Sequence, residues 1–311
     1  MISIIIPCYN ASNDIDQCFH CLLNQNNNDW EAIFINDGSI DNTFEILKEL
    51  SRKDARIKVC TQENKGAAKA REYGISKASG EYITFLDVDD TLEPDALEKV
   101  VEKLKYNPDL VVANFNIVNF DKKNRRTSIA FEELSSLSYL QKVLIGKYGW
   151  ELCGKVYKKE LFDSSIITPT NFRIGEDAAV FVQIVSRAKK IVGCNYPIYN
   201  YIQNSQSASH IKNRKYAEET LLAGQFIEDY LKQQPFYDEL KEEISAMHLL
   251  FYSNSSFKYT LSRNHPLIKY IIDNHFKINS LLRIPMLKAF YVLFLYLTDG
   301  KIAEWLYKLK R

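Results

Sequence analysis

The stretch Gly80-Glu81-Tyr82-Ile83-Thr84-Phe85-Leu86-Asp87-Val88-Asp89-Asp90-Thr91-Leu92-Glu93-Pro94 runs from a glycine through a short apolar segment into three carboxylates. Tyr82 to Leu86 has the length and composition of an interior strand. Asp87 and Asp89 stand two apart, so on extended backbone both side chains point the same way. Two like charges held together cost free energy unless something cationic lies between them. A hard divalent ion is the candidate.

Working back from this strand, the chain alternates strands with helices. Ser3 to Ile6 is a first strand, broken at Pro7-Cys8-Tyr9-Asn10 before a helix that Ser12 or Asn13 could cap. Glu31 to Asn36 is a second strand, ending in Asp37-Gly38-Ser39-Ile40-Asp41, with Asp41 as cap for a helix that turns Phe44, Leu47 and Leu50 inward. Ile57 to Cys60, then Asn64-Lys65-Gly66 and a helix through Ala78, form the third unit. This alternation predicts an α/β fold, a Rossmann-like, mostly parallel sheet flanked by helices. Ligands of such sheets bind outside the carboxyl ends of the strands. Four polar strand ends should therefore line one crevice. No Gly-x-Gly-x-x-Gly follows the first strand, and Gly146-Lys147 lacks the upstream glycine of a Walker loop, so neither motif for a dinucleotide or a P-loop is present. The crevice instead offers an aromatic ring (Tyr9), an acceptor (Asp37), cations (Lys65, Arg71) and the carboxylate pair. A ring can stack on a base, an Asp can accept from it, and a metal with Arg or Lys can hold a diphosphate.

Ser-Ile-Ile-Ile-Pro-Cys-Tyr-Asn (3–10), Asn-Asp-Gly-Ser-Ile-Asp-Asn-Thr (36–43), Asn-Lys-Gly-Ala-Ala-Lys-Ala-Arg (64–71) and Phe-Leu-Asp-Val-Asp-Asp (85–90) resemble, in that order, the nucleotide-sugar-binding half of the inverting family-2 glycosyltransferases of GT-A fold. Each motif alone is weak; four in register over about 95 residues are not. The resemblance implies a UDP-sugar donor, with Tyr9 stacking on uracil, Asp37 accepting from the base, Pro7, Lys65 and Arg71 at the nucleotide, and Asp87 and Asp89 holding Mn²⁺ or Mg²⁺ on the diphosphate. Many relatives carry Asp where this chain has Asn36. Taken singly, Asp37-Gly38 is a common turn pair and Arg71 a solvated helix residue.

Beyond Pro94, a helix carries Leu97, Val100, Val101 and Leu104 on one face, Leu110 to Phe120 is a long strand, and Lys122 to Arg126 is a basic turn. Gly149 to Phe162 and Phe172-Arg173-Ile174-Gly175-Glu176-Asp177 are similar to the acceptor side of the same family, where the acidic pair supplies the general base; by position the base is Asp177, beside Glu176. On its own, Asp177 reads as the first-turn anion of a helix. Trp150 is either core or a platform for a sugar. The Tyr-rich segment 196–209 also resembles the family, with Ile202 where relatives often carry Arg. In some relatives a histidine in this region completes the metal shell, which makes His210 a candidate third ligand.

The reading divides the chain into a catalytic domain, 1–212, with a nucleotide-sugar half (1–95) and an acceptor side (96–212), and a helical region, 213–311. Ile284 to Arg311 mixes aromatic and basic residues, as suits an amphipathic helix on an anionic membrane, a helical cap on the catalytic domain or a contact with another subunit. The acceptor implied is a glycan, polysaccharide or lipid-linked hydroxyl. A net charge of +1 gives no sign of a nucleic-acid partner. Ile2 to Ile6 is too short for a signal peptide and no run is long enough to span a bilayer, so the expected place is the cytoplasm, with peripheral contact at the inner face of the membrane. Six cysteines in such a chain read as reduced thiols, and Cys18 and Cys21 as residues on the core face of a helix.

Other chemistries fit parts of the pattern. Asp87-Val88-Asp89-Asp90-Thr91-Leu92 also reads like the first motif of haloacid-dehalogenase-type phosphatases, which normally ends the first strand of its domain, whereas three strand-helix units precede it here. A calcium loop from Asp87, Asp89 and Glu98 lacks the glycine that its sixth position needs, where Leu92 stands. A non-catalytic sugar-nucleotide-binding protein has the same nucleotide half.

Overall fold

The computed structural model describes residues 1–119, the backbone of 122–125, and residues 128–203 and 212–300. Among them the chain forms two compact units, one of 1–136, 151–167 and 187–203, the other of 137–150, 168–186 and 212–300. The first holds all the strands: β1 (Ile2–Cys8), β2 (Trp30–Asp37), β3 (Ile57–Gln62), β4 (Tyr82–Phe85), β5 (Thr91–Leu92), β6 (Leu110–Asn119), β7 (Lys122–Arg125), β8 (Glu133–Leu134), β9 (Lys155–Lys158) and β10 (Ile191–Ile202). Its helices are α1 (Ile15–Leu23), α2 (Thr43–Lys53), α3 (Ala67–Lys77) and α4 (Ala96–Leu104).

One sheet runs in the order β3-β2-β1-β4-β9-β6-β10-β5, with β7 on β6 and β8 on β10. The parallel arrangement expected from the strand-helix alternation forms its first half, β3 to β4. Beyond β4 the sheet is mixed, because β9 enters antiparallel between β4 and β6 while β6 and β10 run parallel. β1 and β2 are buried along almost their whole length, as strands covered on both faces must be. Lys122–Arg125, expected as a basic turn, instead pairs antiparallel with the end of β6, whose open edge accepts even a polar segment. The cap of α1 is Asp14 rather than Ser12 or Asn13. Cys18 lies in the core of α1 with Ile15 and Leu22, and all six cysteines are free thiols.

The strand order places a topological switch point between β1 and β4: after β1 the chain goes to β2 and β3 on one side, then returns to β4 on the other. Crevices form at such points, at the carboxyl ends of the strands. The opposite edge is closed by a buried carboxylate. Glu31 Oε1 accepts from Ser3 Oγ (2.6 Å), Ser79 N (2.6 Å) and Gly80 N (3.3 Å), and Oε2 pairs with Lys58 at 2.5 Å. Gly80 is required there, since a Cβ would lie 2.7 Å from Ser3 Oγ and 2.9 Å from a backbone carbonyl. Burial alone would raise the Glu31 pKa, but the Lys58 ammonium and the Ser3 and Ser79 donors outweigh it and hold it at about 2. The sign follows: a carboxylate held below its unfolded value stabilises the fold above that value, and the contribution is lost as pH falls from about 4.5 towards 2. Glu31→Gln should therefore cost about 3 kcal/mol at pH 7 and flatten the pH dependence of urea unfolding in that window. Unfolding curves that stay parallel for wild type and variant from pH 5 to 3 would contradict this assignment.

The second unit is helical: α5 (Ser136–Leu144), α6 (Glu176–Arg187), α7 (Arg214–Leu231), α8 (Tyr237–Ser256), α9 (Pro266–His275), α10 (Ile278–Arg283) and α11 (Met286–Thr298). Tyr139 stacks on Tyr148 and meets the Phe181 ring edge-on, tying α5 to α6. α7 and α8 form a long hairpin, and α9, α10 and α11 pack on α8. No described helix is long and apolar enough to cross a membrane.

Candidate active site

The loops after β1 and β2 are stitched to each other. Asn10, in the left-handed region at φ +50°, donates its N–H to Ser39 Oγ (3.0 Å) and accepts from Ile40 N (2.9 Å). Ala11 N donates to Thr43 Oγ1 (2.8 Å) and Ser12 N to Asp41 Oδ2 (3.2 Å). This mesh leaves the Tyr9 ring 51% exposed, an unusual position for an aromatic side chain beside a buried strand. Asn36 uses both ends of its amide, donating to Thr61 Oγ1 (3.1 Å) and accepting from Ser39 N (3.2 Å). An Asp here could accept but not donate, so the asparagine suits its neighbours.

Asp37 is buried and accepts three hydrogen bonds: from Gln62 Nε2 (2.7 Å) and Lys65 N (2.9 Å) on Oδ1, and from Gly66 N (2.8 Å) on Oδ2. It shapes the Asn64–Gly66 loop that starts α3, and one lone pair of Oδ2 is uncommitted by these bonds. Gly38 lies against that loop at φ +68°, where a Cβ would stand 2.6 Å from Asn64 N. Arg71, one turn into α3, is buried and donates from Nη2 to Asp87 Oδ1 at 2.9 Å.

Pro7, Cys8, Tyr9, Asp37, Ala67, Arg71, Asp87, Val88 and Asp89 line one open cleft of about 290 Å³ at the switch point. Of the expected nucleotide-side residues, Pro7, Tyr9, Asp37, Arg71, Asp87 and Asp89 are thus brought together. The Lys65 side chain is exposed and does not line the cleft; its backbone N–H reaches Asp37 instead. Asp89 is exposed, yet its pKa is raised, by the partial desolvation of the cleft wall and by the charge of Asp87. Two carboxylates with hard oxygen donors, one pushed upward by the other, fit a hard divalent cation, which would relieve that repulsion.

The sequence leaves the role of Asp90 open and gives no sign of its partner. Asp90 is buried, accepting from Tyr199 Oη (2.5 Å) and from Ile202 N (2.7 Å). Desolvation lifts its pKa to about 8 in spite of those two donors. The same Tyr199 Oη accepts from Asp87 N (3.3 Å), and Cys153 Sγ donates to Asp87 Oδ2 (3.4 Å). Tyr199 on β10 therefore clamps the turn that carries both outer carboxylates.

Asp177 and Glu176, both half-buried, open α6 in the second unit, after Gly175 at φ +91°. A Cβ on Gly175 would stand 2.5 Å from Ala223 Cβ, so the loop passes α7 only as glycine. Buried Glu219 of α7 accepts from Arg173 N (3.2 Å) and Ile174 N (3.1 Å) and tethers the same loop, a contact for which the sequence carries no signal. Trp150 is half-buried and meets Phe251 with ring centroids 4.8 Å apart. His210 lies outside the described residues.

Among the described residues one further set of metal-type ligands is close together: Glu228, His248 and His275. The two rings stack at 4.0 Å with 16° between their planes, so their in-plane lone pairs run side by side and do not converge on one ion. Glu228 already accepts from His248 Nε2 (2.9 Å) and Tyr270 Oη (2.7 Å) and pairs with Lys232 at 3.2 Å. Burial would raise its pKa, but these donors drive it far below the usual carboxylate range. The cluster reads as a polar staple between α7, α8 and α9.

The model of the family described as Glycosyl transferase family 2 matches residues 3–166. Glycosyltransferase GlyG of Streptococcus pneumoniae is 32% identical over 225 residues, 67% of this chain and 72% of that protein. Glycosyltransferase GlyA of the same organism is 30% identical over 232 residues, 69% of this chain; the chain spans 32% of GlyA's length. Among solved structures, S. aureus TarS 1–349 in complex with UDP-GlcNAc aligns with a TM-score of 0.69 at 17% identity, covering 100% of this chain and 92% of that one. The central sheet flanked by helices has the GT-A fold. The chain belongs to glycosyl transferase family 2.

Proposed function

We propose that this glycosyltransferase moves a sugar from UDP to a hydroxyl of a glycan or lipid-linked acceptor, in one displacement that inverts the anomeric carbon. The observation that carries the donor reading is the meeting of Pro7, Tyr9, Asp37, Arg71, Asp87 and Asp89 in one cleft at the sheet's switch point. The outward Tyr9 ring offers a face for uracil. Asp37 offers the base its uncommitted lone pair, and Arg71 adds positive charge to the wall that meets phosphate. TarS, whose fold this chain shares, has been crystallised with UDP and with UDP-GlcNAc, which supports a uridine nucleotide here.

Asp87 and Asp89 would hold Mn²⁺ or Mg²⁺, with His210 as the further candidate ligand. When bound, such an ion neutralises charge on the departing diphosphate. Asp177 takes the proton from the acceptor hydroxyl; the helix N-terminus favours its ionised form, which a base requires. Glu176 and Trp150 belong to the acceptor side in this reading. The phosphatase alternative would need its nucleophile on a first strand, whereas Asp87 follows the fourth strand of the chain.

The test is a screen of UDP-sugars for release of UDP, with and without Mn²⁺, followed by NMR of the product anomer. One UDP-sugar should turn over, with metal dependence and an inverted linkage. Release of phosphate from small phosphoesters with no UDP-sugar turned over would overturn the proposal.

A further inference from the structure

Helices α10 and α11 carry an apolar surface that packing among the described residues of the second unit does not use. Leu281, Val292 and Leu295 are buried on their inner side. On the other side Ile278, Leu282, Met286, Leu287, Phe290 and Leu297 are 62–82% exposed. Met286, Phe290 and Leu297 recur at helical spacing and form one stripe along α11. A single exposed leucine is ordinary; six large apolar side chains within residues 278–297 mark a surface with an occupant.

The charges around this stripe identify the occupant. The described residues 257–300 contain six Lys and Arg against two Asp and Glu, a formal +4 in a chain whose total is +1. Three cations are interleaved with the apolar positions: exposed Lys277 precedes Ile278, Arg283, which pairs with Glu242 and Glu243, follows Leu282, and half-buried Lys288, which donates to Asn254, follows Leu287. Lys269 and Lys277 are exposed, and Phe257 and Tyr259 add exposed rings on either side of Lys258. A second copy fits poorly, because an isologous contact would set this excess of positive charge against itself. Spanning is excluded for α11: 13 residues reach about 20 Å, short of the ~30 Å hydrocarbon core. An apolar stripe on a short helix, with two exposed lysines, Lys269 and Lys277, in the residues before it, matches the boundary between acyl chains and anionic headgroups.

We propose that the α10–α11 face lies on an anionic lipid surface, with the apolar stripe among the acyl chains and the exposed Lys269 and Lys277 at the headgroups. This inference does not rest on the donor or the reaction proposed above. Long cationic side chains at such a face keep their ammonium or guanidinium groups in the headgroup layer while their stems cover apolar surface.

The experiment sediments the full chain with vesicles of phosphatidylcholine alone and of phosphatidylcholine with phosphatidylglycerol, at low and at high salt. The chain should bind the anionic vesicles, weakly or not at all the neutral ones, and lose binding as salt rises. Leu287→Glu with Phe290→Glu should weaken vesicle binding at least about tenfold. Both side chains already face solvent, so the variant should fold, and its turnover of UDP-sugar on a soluble acceptor should match wild type. Three results would overturn the proposal: no binding of wild type to anionic vesicles, equal binding by the double variant, or a wild-type dimer in light scattering that the double variant loses. Loss of turnover with vesicle binding intact would instead count against the reaction and leave this surface standing.

Discussion

Asp89→Asn is expected to lower glycosyl transfer by about two to three orders of magnitude while leaving thermal stability unchanged or slightly raised. The pairing of these two outcomes follows from its surroundings. Asp89 is exposed, and partial desolvation together with the charge of Asp87 already disfavours its ionised form. Removing that charge relieves the fold and takes away a ligand oxygen. Asp87→Asn should lose comparable activity for a different structural reason and at a cost in stability. Asp87 is the carboxylate that the Arg71 guanidinium meets at 2.9 Å, and Arg71 is buried. Taking the negative charge from such a pair costs about 1–2 kcal/mol, below the fully buried case because Asp87 is 37% exposed. Thermal melts without added metal, beside turnover measured with Mn²⁺, separate the two variants. Equal melting shifts for both would show that Arg71 does not distinguish them.

Much of this site is legible in the amino-acid sequence, because its donor half lies at the ends of buried strands. Ile2–Cys8, Trp30–Asp37 and Tyr82–Phe85 are apolar runs that stop at polar residues, and a parallel sheet sends those stops to one edge. The mixed half of the sheet is less legible. β9 is only Lys155-Val156-Tyr157-Lys158, too short to show a period, and β5 and β8 are two residues each. β7 is Lys-Lys-Asn-Arg, whose strand character comes from the edge of β6 and not from its own side chains. The same limit hides the supports of the site. Asp90 and Tyr199 are 109 positions apart, and Glu219 stands 46 beyond Arg173. A hydrogen bond over such separations leaves no spacing to detect. Asp37 shows the intermediate case: its type and place can be read from the sequence, but its burial under three donors cannot.

Asp177→Asn is expected to reduce transfer by about a thousandfold and to leave UDP affinity within about twofold, since general-base catalysis contributes roughly 10² to 10⁴ in rate and the nucleotide is held by other residues. The substitution keeps the size of the side chain, and Asp177 is the second residue of α6 rather than its cap, so the helix start should survive. What it removes is a group that can take a proton. The loss should therefore fall on kcat more than on the donor KM, and the acidic limb of the pH–rate profile, where the base becomes protonated, should disappear. Two substitutions of one neighbour, Glu219, separate this chemistry from mere placement. Glu219→Gln keeps one oxygen for Arg173 N and Ile174 N and should leave kcat close to wild type, whereas Glu219→Ala strands two backbone donors and should lower kcat with the pH profile unchanged in shape. A drop in the Asp177→Asn variant that retained the acidic limb would mark Asp177 as a positioning residue. Transfer at the wild-type rate would remove it from the mechanism, with Glu176, beside it in the first turn of α6, as the carboxylate to test next.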